Sequence, residues 1–296
     1  MTLQTIFNHA QLTFVDCGAS YFPPDTWQIA LREKSSKLIL VDPNVQNLEY
    51  HSKLQCHSHV IPKPLWMEQG MQTLYVANTD SGSSLLAPTG RPEILQADQG
   101  YFLPLTMRSI YCSTLAVELD LLNIELVDCI KLDTQGSELQ ILMGLDSQRI
   151  ESLLFVEVEV SLQNPPLYSG ASTLQDFSDF LEGRGFEIAN LRLSRPAPTS
   201  KYSLPIPSEC DVLFVRPFHL LGALKSSRLI MLKLLVLANL YYLYEYADQL
   251  CNYLRDSGLI MEDDLAAIMT SQSELRLVQG NYLANGGLSL WHRDSV

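Results

Sequence analysis

The sequence predicts an α/β fold, with an open and mostly parallel sheet covered by helices on both faces. Short, nearly continuous apolar runs occur at residues 12–17, 37–41, 127–132, 153–160 and 211–216. Segments with helical spacing lie between these runs, at residues 26–34, 136–144 and 172–183. This alternation is typical of parallel strands that are buried on both faces and connected by helices.

The elements are supported by local signals. The first run ends abruptly at Asp-Cys-Gly (16–18), and the second is followed by Asp-Pro-Asn (42–44). In the helix predicted over 136–144, Leu139, Leu142 and Met143 share one face. Thr173 is a candidate N-cap for the helix over 172–183.

Other segments are less regular. Prolines interrupt residues 55–110, where 73–77 is one further strand candidate, and the proline-rich stretch 195–208 predicts a long exposed loop. We therefore divide the chain into a main domain, residues 1–217, and a C-terminal helical extension, residues 218–296.

The extension contains a strongly apolar run at residues 229–244. It continues into a segment with helical spacing, which predicts one long amphipathic helix. The run is shorter than a membrane span of about 20 residues and is interrupted by Lys233 and Asn239. We expect it to pack on the core or to form a homo-oligomer with a partner subunit. Contact with a membrane surface, or spanning, is the less favoured alternative.

Composition restricts the classes of partner and compartment. The net charge is −13, so the protein has no electrostatic reason to bind phosphate backbones, and we expect no nucleic acid substrate. The six cysteines are scattered without C-x-x-C spacing, which favours reduced thiols. The first residues lack the basic start and apolar stretch of a signal peptide, and we predict a cytoplasmic location.

Two strand ends predict a nucleoside site. In open α/β sheets, ligands bind at the carboxyl ends of strands, and glycine lets the backbone approach a ligand closely. An acidic residue after the second strand can accept hydrogen bonds from ribose hydroxyls. The motifs G-x-G-x-x-G and G-x-x-x-x-G-K-[ST] are absent, so no phosphate cradle is evident, which favours S-adenosylmethionine over NAD. The candidate cofactor-binding residues are Asp16, Gly18, Ala19, Ser20, Asp42, Pro43 and Asn44.

Together, these segments resemble the FkbM family of S-adenosylmethionine-dependent methyltransferases over about residues 10–217. The most specific match is a strand ending in Lys-x-Asp, followed by x-x-Gly-x-Glu and a helix closing in Gly. The resemblance implies a class I methyltransferase sheet of seven strands, with only the last antiparallel. The chain departs from the family at 21–24, which reads Tyr-Phe-Pro-Pro where another glycine is frequent, and at Asp42, where Glu is more frequent. The matching stretches are FVDCGAS (14–20), LVDPN (40–44), SSLLAP (83–88), VDCIKLDTQGSELQILMG (127–144), EVEVSLQNPPLY (157–168) and DVLFVR (211–216).

Three carboxylates are candidate catalytic residues. Asp133 follows the strand after the predicted topological switch, and Glu157 and Glu159 share one face of the next strand. Carboxylates on an apolar strand are costly unless they are solvated, paired or lining a pocket. Pairing with Arg or Lys from a covering helix, or solvation at the strand end, is the alternative. Glu138 either takes part in catalysis or only caps its helix.

The expected function is methyl transfer to a hydroxyl of a small molecule, sugar or glycan, and this acceptor class rests on the resemblance alone. An NAD-type oxidoreductase and a non-catalytic binding or assembly protein are the alternatives. We expect the proline-containing segment 164–168 to border the substrate pocket. We assign no metal, because His57 and His59 lack a clear third ligand.

Overall fold

A seven-stranded sheet forms the centre of the computed structural model, with strand order β3-β2-β1-β6-β7-β9-β8. The structure describes residues 10–20, 22–32, 36–54, 56–89, 102–162, 165–193, 209–222, 227–260, 266, 268–270 and 272–277. A separate two-stranded ribbon pairs β4 with β5. The strands are β1 (Thr13–Cys17), β2 (Lys37–Val41), β3 (His57–Ile61), β4 (Gly70–Ala77), β5 (Pro104–Cys112), β6 (Cys129–Leu132), β7 (Phe155–Ser161), β8 (Glu187–Leu193) and β9 (Glu209–Val215).

The pairing directions confirm the predicted fold class. β1 pairs in parallel with β2 and β6, and the parallel pairing extends to β3 and β7. β9 runs antiparallel to both of its neighbours, β7 and β8. The strand order reverses between β1 and β6, so the carboxyl ends of these two strands flank the topological switch point, where open α/β sheets bind ligands.

Helices cover both faces of the sheet. Successive strand residues point to opposite sides, so apolar strands present an apolar surface on each face. Phe14 belongs to the core cluster that contains α6, and Val15 to the opposite cluster, which contains α2, α3 and α5. The helices are α1 (Gln28–Arg32), α2 (Leu115–Leu121), α3 (Glu138–Met143), α4 (Ser147–Ser152), α5 (Leu174–Glu182), α6 (Arg228–Leu240) and α7 (Tyr244–Asp256).

The C-terminal segment corrects one prediction. It forms two helices, α6 and α7, rather than one long helix, and the chain turns at Tyr242, which has a φ of 61°. Most apolar side chains of α6 are buried in the same core cluster as β1, so this helix packs on the sheet, as expected. No described helix is both long and apolar enough to cross a membrane. A homo-oligomer formed through this segment and the division at residue 217 stay predictions.

The lysine that interrupts the apolar run forms a buried ion pair. Lys233 Nζ lies 2.9 Å from both carboxylate oxygens of Asp128, and the Thr13 backbone N–H donates to Asp128 Oδ2 at 2.8 Å. Burial raises the pKa of Asp128, and the Lys233 ammonium opposes that shift. The pair therefore fixes α6 against the amino ends of β1 and β6.

The structure also differs from the sequence predictions in the limits of one helix and in the buried face of another. The helix predicted over 26–34 is a 3₁₀ turn, Asp25–Trp27, followed by the short helix α1. In α3, Met143 is exposed and Ile141 is buried in its place. The strand predicted over 73–77 is confirmed within β4, and the loop predicted over 195–208 lies outside the described residues.

Replacing Thr173 by alanine is expected to lower the free energy of unfolding by about 1 kcal/mol, and the melting temperature by about 2–4 °C. Thr173 caps α5 through a capping box, because its side chain accepts from the Asp176 N–H and the Asp176 carboxylate accepts from the Thr173 N–H. Thermal unfolding of Thr173→Ala and Thr173→Ser tests this. An equal loss in the serine variant would contradict the capping explanation, since serine keeps the hydroxyl.

Candidate functional site

The turn after β1 joins three strand ends at the switch point. The N–H groups of Gly18 and Ala19 donate to the Val41 carbonyl at 2.9 and 3.1 Å, and the Asp133 N–H donates to the Cys17 carbonyl at 2.9 Å. Gly18 has a φ of 86°, and a Cβ at this position would lie 1.8 Å from the Asp133 carbonyl oxygen. Only glycine permits this close approach of two backbone segments.

The loop after β6 has an unusual backbone. Gln135 and Gly136 have φ values of 61° and 103°. Glu138 Oε1 accepts hydrogen bonds from the N–H groups of Thr134 at 2.7 Å and Gly136 at 2.9 Å. Burial raises the pKa of Glu138 to about 7, although these N–H donors favour its carboxylate. Glu138 thus holds in shape the loop that precedes α3, which is a structural role different from the helix cap that the sequence analysis considered.

Two adjoining cavities open at these turns. The first, which we name the acidic cavity, has a volume of about 500 Å³. The second cavity has a volume of about 580 Å³ and is lined by the end of β2 and by the inner side of the β4–β5 ribbon. Both cavities are lined by Gly18, Ser20, Ser81, Asp133 and Gln135. The side chains that give the acidic cavity its character are Asp16, Lys131, Asp133, Glu159, Glu209, Phe22 and Phe102.

A row of charged side chains crosses the sheet beneath the acidic cavity. Asp16 on β1 is in register with Lys131 on β6, which is in register with Glu157 on β7. Lys131 Nζ donates to Asp133 Oδ2 at 2.7 Å. Burial alone would lower the pKa of Lys131, but the Asp133 and Asp16 carboxylates raise it above its ordinary value. This lysine is therefore the cation that balances several carboxylates.

Asp16 has an unsatisfied buried oxygen. Its Oδ1 atom makes no hydrogen bond to any residue that the structure describes, although the side chain lines the acidic cavity. Burial raises the pKa of Asp16 to about 7, with Lys131 opposing the shift. A buried acceptor without a partner is costly, so this oxygen is suited to a donor that a ligand would supply.

Asp133 and Glu159 form a coupled pair of carboxyl groups in the acidic cavity. Their side chains are hydrogen bonded to each other, and Lys131 holds the pKa of Asp133 below its usual range, although burial opposes this. Burial and the negative charges of Asp133 and Glu209 raise the pKa of Glu159 well above its usual range. Gln135 Nε2 also donates to Glu159 Oε2 at 3.4 Å. The two carboxyl groups therefore differ in proton affinity, because the pKa of Asp133 is lowered and that of Glu159 is raised.

The structure separates the predicted catalytic residues into two groups. Asp133 and Glu159 line the acidic cavity. Glu157 lies two residues earlier on β7, where it accepts a hydrogen bond from the Tyr241 hydroxyl at 3.0 Å. Its environment resembles the paired alternative of the sequence analysis, although the partner is a tyrosine from the C-terminal extension.

The predicted cofactor residues lie around the shared turns. Gly18 and Ser20 line both cavities, and Ala19 is buried beside them. The second cavity is lined by Asp42, Pro43 and Asn44. The Asp42 carboxylate accepts from the Asn44 N–H at 2.7 Å and from Asn47 Nδ2 at 3.2 Å.

Sequence reasoning did not single out Lys131, Gln135 and Glu209. Lys131 and Gln135 occur inside the longest matched motif, which is the signal that could have found them. Phe22 and Pro24, which are part of the departure from the family pattern at residues 21–24, line the acidic cavity without closing it. In the loop predicted to border the substrate pocket, the Tyr168 hydroxyl donates to Oε1 of Gln135, which lines both cavities, at 3.0 Å. Asn164 lies outside the described residues.

Potential metal ligands do not cluster in the part of the chain that the structure describes, where no group of three or more His, Cys, Asp or Glu side chains could hold an ion. His57 and His59 lie together on β3, with ring centroids 4.7 Å apart. The six cysteines are all buried and free.

Two solved structures resemble the chain weakly. One is that of a candidate S-adenosylmethionine-dependent methyltransferase from Listeria monocytogenes, at 11% identity and a TM-score of 0.32, covering 72% of this chain and 94% of that one. The other is a variant of the 16S rRNA (adenine(1408)-N(1))-methyltransferase from Catenulisporales acidiphilia, at 11% identity and a TM-score of 0.26, covering 72% and 93%. Neither likeness is strong enough to support an argument about this chain.

Family membership rests on the sequence match. No curated protein matches the chain significantly. The methyltransferase FkbM domain matches residues 16–188, which is more than half of the chain and contains both turns that border the cavities. The chain belongs to the FkbM methyltransferase family.

Proposed function

We propose that the protein is an S-adenosylmethionine-dependent O-methyltransferase that acts on a hydroxyl of a small molecule, sugar or glycan. One observation carries the proposal. The acidic cavity combines the unsatisfied Asp16 oxygen with the Asp133–Glu159 pair, and it adjoins the cavity at Asp42. The residues proposed for the cofactor and those proposed for acid–base chemistry thus lie together at the switch point of the sheet, which supports the proposal.

The residues present fit the cofactor. Asp42 directly follows β2 and lines the second cavity, where its carboxylate is suited to accept hydrogen bonds from ribose hydroxyls. Gly18 places backbone without a side chain between the two cavities. The unsatisfied Asp16 oxygen suits the amino group of the methionine part. When bound, S-adenosylmethionine supplies a methyl group activated on a sulfonium.

Asp133 and Glu159 would orient the acceptor and receive its proton. A hydroxyl must lose its proton during methyl transfer, and a carboxylate within hydrogen-bond distance is suited to accept it. Because the pKa of Asp133 is lowered and that of its hydrogen-bonded partner Glu159 is raised, the pair is suited to offer both a base and a donor to one hydroxyl. The rings of Phe22 and Phe102 provide apolar walls.

The charge of the acidic cavity also restricts the acceptor. Among its described lining residues, four are acidic, namely Asp16, Asp133, Glu159 and Glu209, and one, Lys131, is basic. Phosphate-rich acceptors would be repelled, so we propose that nucleic acid is not the substrate. The six free cysteines suit a reducing compartment and support a cytoplasmic location.

Calorimetric titration with S-adenosylhomocysteine, with NAD as the control, tests the cofactor. We expect micromolar binding of S-adenosylhomocysteine alone. Binding of NAD alone would indicate the oxidoreductase alternative, and binding of neither would indicate a non-catalytic binding protein.

Replacing Glu159 by glutamine is expected to lower kcat by about 100-fold, because the pair loses its exchangeable proton. Affinity for S-adenosylhomocysteine should stay within about threefold, since the carboxylates assigned to the cofactor are untouched. The assay follows transfer of labelled methyl to a hydroxylated acceptor found by screening. Glu182→Gln, at an exposed position on α5, is the matched control. Unchanged kcat in Glu159→Gln would exclude Glu159 from the chemistry.

A further inference from the structure

A tyrosine of the C-terminal extension reaches the charged row beneath the proposed site. Tyr241 caps the end of α6 and lies outside residues 16–188, the part of the chain that matches the family. Its hydroxyl accepts from Trp27 Nε1 at 2.8 Å and donates to Glu157 Oε2 at 3.0 Å. Its ring packs against Phe155, with centroids 5.2 Å apart. Tyr241 is therefore fixed from two sides, with its hydroxyl directed at Glu157.

Glu157 connects Tyr241 to the residues that line the acidic cavity. It lies in register with Lys131, which lies in register with Asp16. The Lys131 ammonium donates to Asp133 Oδ2 at 2.7 Å. Three carboxylates, those of Asp16, Asp133 and Glu157, thus depend on one lysine. A change in how Glu157 is satisfied must change how Lys131 is shared.

Charged and titratable groups face Glu157 from every neighbouring element. Burial raises its pKa, whereas Lys131 and the Tyr241 hydroxyl lower it. From β9, Asp211 raises the pKa of Glu157, and Arg192 on β8, which is paired with Asp211, lowers it. The remaining neighbours are Asp16 on β1 and Cys129 on β6. The Tyr241 hydroxyl, which also lies 3.4 Å from the Cys129 sulfur, is the uncharged group that donates to Glu157 among the hydrogen bonds of the described chain, so it stabilises the Glu157 carboxylate without taking a cation from the cavity.

We propose that Tyr241 is a positioning residue of the methyltransferase site, because its hydroxyl satisfies Glu157 and leaves the Lys131 ammonium directed at Asp133 and Asp16. The inference rests on the proposed function. It assigns a role to the C-terminal extension, which supplies part of the support of the site. Without the hydroxyl, the Glu157 carboxylate turns to Lys131, the cation that acts on it most strongly, and the carboxylates at the cavity lose part of their counter-charge.

The test compares Tyr241→Phe with the wild type in the full chain. S-adenosylhomocysteine affinity is measured by calorimetry between pH 5.5 and 8.5, and thermal unfolding is recorded in parallel. The pH midpoint of binding is the pH at which affinity reaches half of its high-pH value, and we expect it to follow the ionisation of Asp16. In the variant, Asp16 loses part of its counter-charge, so this midpoint should move upward by about one pH unit. Affinity at pH 6.5 should therefore fall about fivefold to tenfold. An unchanged or lower midpoint would overturn the proposal.

Tyr246→Phe is the matched control. Tyr246 lies on α7 of the same extension, and its hydroxyl accepts from the Phe218 N–H at 2.8 Å. We expect this variant to keep the wild-type midpoint, whatever its effect on melting temperature. An equal shift in both variants would show that the extension acts only through stability, and would overturn the specific role of Tyr241.

A double-mutant cycle with Glu157→Gln separates positioning from packing. Glutamine removes the negative charge but keeps an acceptor for Tyr241, so Glu157→Gln alone should move the binding midpoint downward. In that background, Tyr241→Phe should add no further upward shift, and an additive shift would overturn the proposal. If Tyr241→Phe does not fold, the downward shift of Glu157→Gln decides, and its absence overturns the proposal. If the wild type itself does not bind S-adenosylhomocysteine, the proposed function fails. If the wild type binds normally and Tyr241→Phe does not shift the midpoint, only the proposed role of Tyr241 fails.

Discussion

Gly18→Ala is expected to lower the free energy of unfolding by about 3–5 kcal/mol and to abolish S-adenosylhomocysteine binding. Two costs combine. Gly18 has a φ of 86°, which is strained for alanine, and the added Cβ would lie 1.8 Å from the Asp133 carbonyl oxygen. Since that atom is backbone, relief requires the loop after β6 to move. The same movement displaces Asp133, which lines both cavities.

Gly170→Ala is the control that separates the two costs. Gly170 has almost the same φ, 84°, but no described atom lies within 4 Å of the position that a Cβ would take there. Only the backbone strain should remain, at about 1–2 kcal/mol, and cofactor binding should be unchanged. Chemical denaturation and calorimetry measure both quantities. Equal losses of stability in the two variants would show that the close approach at Gly18 has no energetic importance.

The central strands could be predicted because burial leaves a direct record in the sequence. β1, β2, β6, β7 and β9 are mostly apolar, since both of their faces are covered. β5 and β8 could not be found this way. Nearly every residue of β5 and every residue of β8 is exposed, so neither strand forms a continuous apolar run.

The turn between the C-terminal helices α6 and α7 was also not predictable, but for a different reason. Its turn falls at Tyr242, a non-glycine residue with positive φ, which carries no glycine or proline signal. Lys233 looked like an interruption of an apolar helix, and it is explained by Asp128, 105 residues away in the chain. Pairings of this kind become visible only when the tertiary fold brings the two segments together.

The candidate site also has a part that could be predicted from the sequence and a part that could not. Asp16, Asp42 and Asp133 lie at or just after strand ends, and their positions at one edge of the sheet follow from parallel topology alone. The different locations of Glu157 and Glu159 do not follow from topology. Alternation places both on one face, but Tyr241, 84 residues after Glu157, is needed to show that Glu157 lies under the site rather than in the cavity.

Asp16→Asn is expected to weaken S-adenosylhomocysteine binding by at least about 100-fold while making the protein more stable at pH 8. Loss of binding follows because an amide cannot provide the buried negative charge that the cofactor's amino group would meet. The gain in stability follows because burial raises the pKa of Asp16 from 3.8 to about 7. An ionised Asp16 therefore opposes folding, and asparagine removes this cost.

The sign of the pH dependence can be worked out from that shift. A group whose pKa is raised on folding contributes stability that is fully present below 3.8 and is lost as pH rises through about 7. The stability difference between Asp16→Asn and the wild type should therefore grow from pH 4 to pH 7 and then level off at up to about 4 kcal/mol. In the wild type, cofactor affinity should rise as pH rises through about 7, because Asp16 must be ionised to bind an ammonium group.

Chemical denaturation at pH 5 and pH 8, together with calorimetry at both values, measures these effects. Asp179→Asn, at an exposed position on α5, is the matched control and should alter neither quantity. A fall in both stability and affinity for Asp16→Asn would mean that Asp16 supports the fold through a contact of its own. A gain in stability with unchanged affinity would mean that the buried charge serves something other than the cofactor. Opposite changes are expected only where a buried carboxylate is kept for a ligand at the expense of the fold.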